Sequence, residues 1–294
     1  MRITQSMMLN SALQSEQTAT QQMAQLTQMA SSGLRVAQPS DDPAAWTSIQ
    51  ENQAQMGIIQ ARSNAANVAA GNLNLAESTL DSASNLVTQA QSLAVEGANG
   101  TMDASSRANL ASQVSSLFQQ LVALANTRGS SGYLFGGTKT DTAPVDANGN
   151  YQGNSSASTI LIADGVAATS SADGANAFSA AGGRDVFADL QTLQTALTSN
   201  DISSIQASIT NLQTSAQQVV QARINTGLSA ARLTSASTVM TNALTQLQVQ
   251  QSNMADADAP STLTSLQQAQ TAYEAALTVN KQILSLSLSS GSVG

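Results

Sequence analysis

The chain has 294 residues with 10 Lys and Arg against 18 Asp and Glu, a formal charge of −8 and a pI near 4.3. Phosphate-rich partners bind through basic residues, so duplex nucleic acid and anionic membrane surfaces are both disfavoured, and no nucleic-acid partner is expected. With no Cys and no His, thiolate and imidazole metal ligands, thiol nucleophiles and the commonest general base near neutral pH are all missing, and no enzyme, metal site or cofactor is expected.

Hydrophobic residues make up 41% of the chain but aromatic residues only 3%. Ala and Leu at helical spacing suit the narrow seam between long helices better than a wide core. The first 17 residues, MRITQSMMLNSALQSEQ, carry one Arg and no sustained apolar run, so they lack the h-region of a secretory signal. No stretch approaches the ~18 apolar residues of a membrane span, so no membrane insertion is expected.

In chain order, Leu9, Ala12, Glu16, Ala19, Met23, Leu26 and Ala30 alternate steps of three and four, which predicts a helix ending near Ser31-Ser32-Gly33. That stripe is thin and contains a Glu, so the helix needs a partner. Asp42 suits the N-cap of a second helix, with Pro43 at its first position. Ala66, Ala69, Leu73, Ala76, Leu80, Ala83, Val87, Ala90 and Ala94 then keep the alternation unbroken. A helix from Ala44 to about Glu96 would be roughly 80 Å long.

Gly97 to Gly100 breaks that helix, and Thr101 or Asp103 can cap the next, which carries Leu110, Val114, Leu117, Leu121 and Leu124. From Tyr133 to about Arg184 the periodicity changes. Asn148-Gly149 predicts a tight turn between Val145 and Tyr151, and Ser158 to Ile162 reads as a strand halted at Asp164-Gly165. Helical spacing returns with Phe187, Leu190 and Leu193. After a turn at Asn200-Asp201 it continues from Ile202 through Val219 and, less regularly, to Met254. Pro260 precedes a last segment carrying Leu263, Leu266, Tyr273, Leu277 and Leu284. The predicted fold is mainly α: an elongated antiparallel helical bundle or coiled coil with a small β-rich inserted domain and paired N- and C-termini.

Four blocks carry a family likeness. MRITQSMM at 1–8, SSGLRVAQPSDDPAAWTSIQ at 31–50, GYLFGGTKTDTAP at 132–144 and DADAPSTLTSLQQAQTAYEAALTVNKQILSLSL at 256–288 resemble, in order, segments of the flagellin family of bacterial axial proteins. Pro43 after the Asp pair resembles the family's junction branch more than its filament branch. The resemblance implies a structural adaptor between the flagellar hook and the filament. It implies terminal segments 1–40 and 256–294 that are disordered in the free monomer and helical in an inner tube. Residues 41–132 and 185–255 would form a helical rod, and 133–184 an exposed β-rich domain.

It also implies the partners: further copies of the chain in a ring-like assembly, flagellin beyond it, a sister junction protein on the hook side and a cytoplasmic export chaperone. Location would be extracellular, after unfolded export by the flagellar type III system without a cleaved signal. The candidate assembly residues are Ile3, Met7, Met8, Leu9, Ala12, Ala19, Met23, Leu26, Ala30, Leu263, Leu266, Tyr273, Leu277 and Leu284. A flagellin filament subunit and a secreted coiled-coil adhesin or effector are the competing readings.

Other motifs have plainer readings. Asp41 and Asp42 form a carboxylate pair without a catalytic partner, which favours capping over acid–base chemistry. Gly132 to Gly137 lacks the spacing of a phosphate-binding loop. Asp146 to Asn150 lacks the acidic ligands of a Ca²⁺ loop. Trp46 is read as a packing residue, and Arg35 and Arg62 as solvated side chains.

Overall fold

The computed structural model describes residues 5–291. The chain forms two compact units, one from residues 1–57 with 244–294 and one from 58–243. Its helices are α1 (Gln5–Ser32), α2 (Pro43–Gly97), α3 (Ala104–Ala125), α4 (Gly174–Phe178), α5 (Val186–Thr198), α6 (Ile202–Ala255) and α7 (Ala259–Gly291). The expected mainly helical architecture is present, and α6 stays helical through the irregular stretch after Leu233.

Aspartates set where these helices begin. Asp42, Asp103, Asp173, Asp185, Asp201 and Asp258 each accept hydrogen bonds from free backbone N–H groups of the helix that follows. At Asp103 the Ser106 N–H lies 2.6 Å from Oδ1. An Asp-to-Ala change at such a cap removes the acceptor and leaves an N–H group unpaired. These bonds hold the Asp103 and Asp201 carboxyls below their usual value: chiefly the Ser106 N–H at Asp103, and the Ser204 hydroxyl at Asp201.

The 58–243 unit has the larger core. Leu73, Leu80 and Val87 of α2 alternate with Ala76, Ala83 and Ala90, all at or below 1% exposure. Small and large side chains in turn let helices approach closely while still filling the seam. Val114 and Leu121 of α3, Leu190 and Leu193 of α5, and Ile205, Leu212 and Val219 of α6 complete the cluster. Each such Val, Leu or Ile contributes about 1.5–3 kcal/mol on burial.

Polar groups close the ends of this core. Arg107 is 2% exposed. Its Nε donates to the Gly97 carbonyl at 2.8 Å, Nη2 to Asn99 O at 2.7 Å, and Nη1 to Asn200 Oδ1. One guanidinium thus satisfies the carbonyl end of α2 and ties it to the α5–α6 turn, where Asn200 takes a left-handed φ of 59°. The buried Asp189 is held by Arg184 and by the Ser215 hydroxyl. Arg62, read from sequence as solvated, pairs with Asp164 at 2.7 Å. Asp164 is 96% exposed, so this pair contributes little.

The segment expected as a small β-rich insert carries short strands, and some of its side chains reach the helical core. Four short strands are present: β1 (Arg128–Gly129) with β2 (Gly132–Tyr133), and β3 (Thr159–Ala163) with β4 (Val166–Thr169). The β3–β4 hairpin is antiparallel, Ile160 opposite Ala168, and turns at the predicted Asp164-Gly165. Val145 bridges Tyr151 across the predicted Asn148-Gly149 turn. Gly149 has φ +87°, and a Cβ there would meet the Phe187 Cβ at 2.8 Å.

The rest of the segment is pinned into the helical core. Phe135 and Phe178 are fully buried, edge to face with centroids 5.3 Å apart, and Phe178 lies 5.9 Å from Phe187 of α5. Single Phe residues in a Gly- and Ala-rich stretch carry no period, so their anchoring role was invisible to spacing. Among the described residues, no helix is long and apolar enough to cross a membrane. Phe178→Ala should lower unfolding stability by about 3–5 kcal/mol in urea titration. Val166→Ala, on the exposed side of β4, should change it by no more than about 0.5 kcal/mol.

Candidate functional site

Within the unit formed by 1–57 and 244–294, two features stand out: a stitched joint, and the pair of terminal helices that leaves it. The joint consists of the loop Leu34–Asp42 and the short link between α6 and α7. Gly33, at φ +72°, ends α1 by returning its N–H to Met29 O at 2.9 Å. Any side chain at that φ would be strained. The Ala255 carbonyl accepts from the N–H groups of Arg35 at 2.7 Å and Val36 at 3.2 Å, and Ala257 N–H donates to Gly33 O at 2.8 Å. Leu34 and Asp256 form an antiparallel bridge.

Side chains lock this backbone knot. Arg35, expected to be solvated, donates from Nη2 to Met254 O at 2.7 Å and from Nη1 to Asp42 Oδ2 at 3.2 Å. A cation over the last carbonyls of α6 is favourably placed against the helix dipole. Asp41 Oδ2 accepts from the N–H groups of Ala37 and Gln38 at 2.9 and 3.0 Å, and Asp42 Oδ1 from Ala45 at 3.0 Å. Both aspartates of the sequence pair are therefore structural acceptors. Beneath them Val36, Ile49 and Ala255 form a small buried cluster with Ala45, Trp46 and Met254 against it. Asn52 Nδ2 donates to Leu247 O at 2.9 Å and further ties α2 to α6.

The terminal helices α1 and α7 run antiparallel, joined at Gly33–Ala257 at one end and at Ala12–Asn280 towards the other. The less exposed stripe of α1 is Leu9, Ala12, Glu16, Ala19, Met23, Leu26 and Met29. That of α7 includes Thr262, Leu266, Ala269, Tyr273, Leu277, Asn280 and Ile283. Of all these positions only Ala12, Thr262, Ala269 and Asn280 are buried.

The predicted assembly residues divide accordingly. Ala12 is buried in the pair, and Leu9, Ala19, Met23, Leu26, Leu266, Tyr273 and Leu277 are half-buried. Ala30 is exposed, and Met29 takes the seam in its place. Met7, Met8, Leu263 and Leu284 point outward, at 62%, 48%, 55% and 47% exposure. Ile3 lies outside the described residues. Sequence reasoning placed Glu16 in the α1 stripe but left it out of the assembly residues, and it missed Thr262 and Asn280 as seam members, because it selected apolar types. Their three-and-four spacing alone would have found them.

The comparisons with known proteins match this architecture. Residues 3–140 match the bacterial flagellin N-terminal helical region, which includes α1, the joint loop, α2 and α3. Over 94% of both chains the sequence is 29% identical to flagellar hook-associated protein 3 of Salmonella typhimurium. The chain is similar along nearly its whole length to flagellar hook-associated protein 3. It is also 36% identical to the Escherichia coli protein of that name, over 42% of this chain and 39% of that one.

Solved structures share the fold. A putative flagellar hook-associated protein from Vibrio parahaemolyticus superposes with a TM-score of 0.67 at 21% identity, over 74% of this chain and all of the other. The flagellar junction protein FlgL from Legionella pneumophila gives 0.57 at 15% identity, over 71% of this chain and 99% of that one. At these identities the likeness concerns fold alone.

Hydrogen bonds hold both joint aspartates below the ordinary carboxylate value of 3.8, chiefly from the Ala37 N–H at Asp41 and from the Ala45 N–H, then Arg35, at Asp42. A depressed folded value means that their stabilisation is complete above pH 3.8 and is lost as pH falls further. In an acid titration followed by NMR, the Ala37, Gln38 and Ala45 amide signals should hold steady down to that value. They should then move together below it.

Proposed function

We propose that the chain is a structural component of the bacterial flagellum, an adaptor that joins hook to filament by coupled folding and assembly of its terminal helices. One observation carries the mechanism: among the described residues, α1 and α7 leave large apolar side chains outside and bury only small ones between them. Met7, Met8, Leu13, Leu263 and Val279 stay exposed, whereas the buried apolar positions are Ala12 and Ala269. Fixing the backbone costs about 1–2 kcal/mol per residue, and a seam this thin returns little of that in two helices of 28 and 33 residues. Neighbouring copies supply the missing contact. Ordering then waits for assembly, as in other segments that fold on binding.

In this reading α1 and α7 build the inner wall of a tube of like subunits, and the 58–243 unit, with its own core, is folded before assembly. The joint fixes where ordering starts. Gln, Ser, Thr and Asn dominate the polar surface of α1 and α7, giving uncharged hydrogen bonds between copies without the cost of desolvating ions. The likeness over 94% of both chains to a protein named as hook-associated protein 3 supports the adaptor reading over a filament subunit. Flagellin beyond the ring, a sister junction protein below it and an export chaperone for the unfolded chain are the corresponding partners, and type III export the route.

Deletion of the encoding sequence should leave cells with hooks but no filaments, and flagellin should appear in the medium. Normal filaments in that strain would sink the adaptor role. Hydrogen exchange should find α1 and α7 unprotected in the free chain and slow to exchange in assembled material. Firm protection in the isolated monomer would refute coupled ordering.

A further inference from the structure

Most described members of the seam between α1 and α7 are apolar, and at Asn280 a polar side chain finds a partner across it. Asn280 is 5% exposed; its Nδ2 donates to a Glu16 carboxylate oxygen and, weakly at 3.5 Å, to the Ala12 carbonyl. Its Oδ1 is buried without any hydrogen-bond partner. A half-satisfied amide beside a carboxylate is less stable than an apolar pair of similar size. Its contribution is therefore sought in selectivity rather than in strength, the known use of single polar residues in helix seams.

We propose that Glu16 and Asn280 form a polar lock that selects α1-with-α7 pairing over like-with-like pairing among copies. The idea rests on the assembly role argued above and specifies which helices recognise each other there. When many copies crowd together, the Ala, Leu and Met stripes of any two terminal helices can stick. In an α1–α1 pair the Glu16 carboxylate has no Asn280 amide opposite it, and in an α7–α7 pair the Asn280 amide has no carboxylate. Both wrong pairs lose the charge-assisted amide–carboxylate hydrogen bond. In the α1–α7 pair the amide and carboxylate meet.

The cysteine-free chain makes the test clean. A spin label on a cysteine introduced at exposed Gln17 of the full-length chain reports α1–α1 approach between copies under assembling conditions. Wild-type chains should show little short-range coupling between labels. The double variant Glu16→Leu with Asn280→Leu, which replaces the lock by apolar contact, should raise that population at least several-fold. The exchanged variant Glu16→Asn with Asn280→Glu keeps the same groups in reversed positions and should return it to the wild-type level.

An unchanged population in the Leu variant would overturn the lock. So would an exchanged variant that behaves like the Leu variant, since general stickiness alone would then explain the data. A second label pair, at Gln17 and Lys281 of one chain, reads pairing within the free monomer. Close pairing there would refute assembly-coupled ordering while leaving the label result at Gln17 to judge the lock.

Discussion

Among the described residues, the side chains that α1 and α7 bury, Ala12, Thr262, Ala269 and Asn280, set the terms for the rest of the molecule. Two are alanines and two are polar, so the pair gains little from removing surface from water. The 58–243 unit contrasts at each point. Its helices bury Leu at alternate seam positions and recruit Phe135, Phe178 and Phe187 into one cluster. In the proposed assembly one part of the chain thus stands by itself and the other needs company. The division is written into side-chain volume rather than into helix propensity, because both parts are rich in good helix formers.

A weak pair attached loosely would be free to order in any direction, and the joint removes that freedom. Its stitching is mostly backbone to backbone, around the single acceptor Ala255 O and the return bond from Ala257 to Gly33. Arg35 and the two aspartates add charge-assisted bonds on the outer side. Such bonds are stronger than neutral ones and geometrically strict. The block that carried the family resemblance at 31–50 is therefore also the stretch that supplies the joint's aspartates, Arg35 and the Gly33 turn. Physical reading and resemblance converge on the same residues there for a stated reason.

Much of this was legible beforehand, and unevenly. Helix limits could be read from Asp42-Pro43, Asp103 and Asn200-Asp201, because a cap is a local event decided by one side chain and its next three amides. Long seams could be read because period is a local property too. The partners of Arg35 and Arg62 could not, since each lies far away in sequence: Met254 for the one and Asp164 for the other. The same limit hid the anchoring of the 133–184 segment, where contacts between Phe135, Phe178 and Phe187 depend on tertiary approach. At the candidate site the error was one of residue type. Selecting apolar positions found Leu9, Ala12 and Leu266, kept Glu16 in the stripe without giving it a role, and passed over Thr262 and Asn280 on the facing helix.

That error points to a wider constraint on proteins that order only in company. A terminal pair stabilised purely by apolar contact would become more adhesive as it became stronger, and would attach to any exposed stripe during export and early assembly. Weakening it with alanine reduces adhesion but gives no means of choosing a partner. Polar groups in the seam separate the two properties, because a buried amide without its carboxylate penalises wrong pairs more than right ones. Glu16 and Asn280 have that form, in a seam whose remaining members have little capacity to discriminate. Low intrinsic stability and high selectivity can then coexist in the same pair of helices, and both are needed if neighbours are to decide when the chain ends take shape.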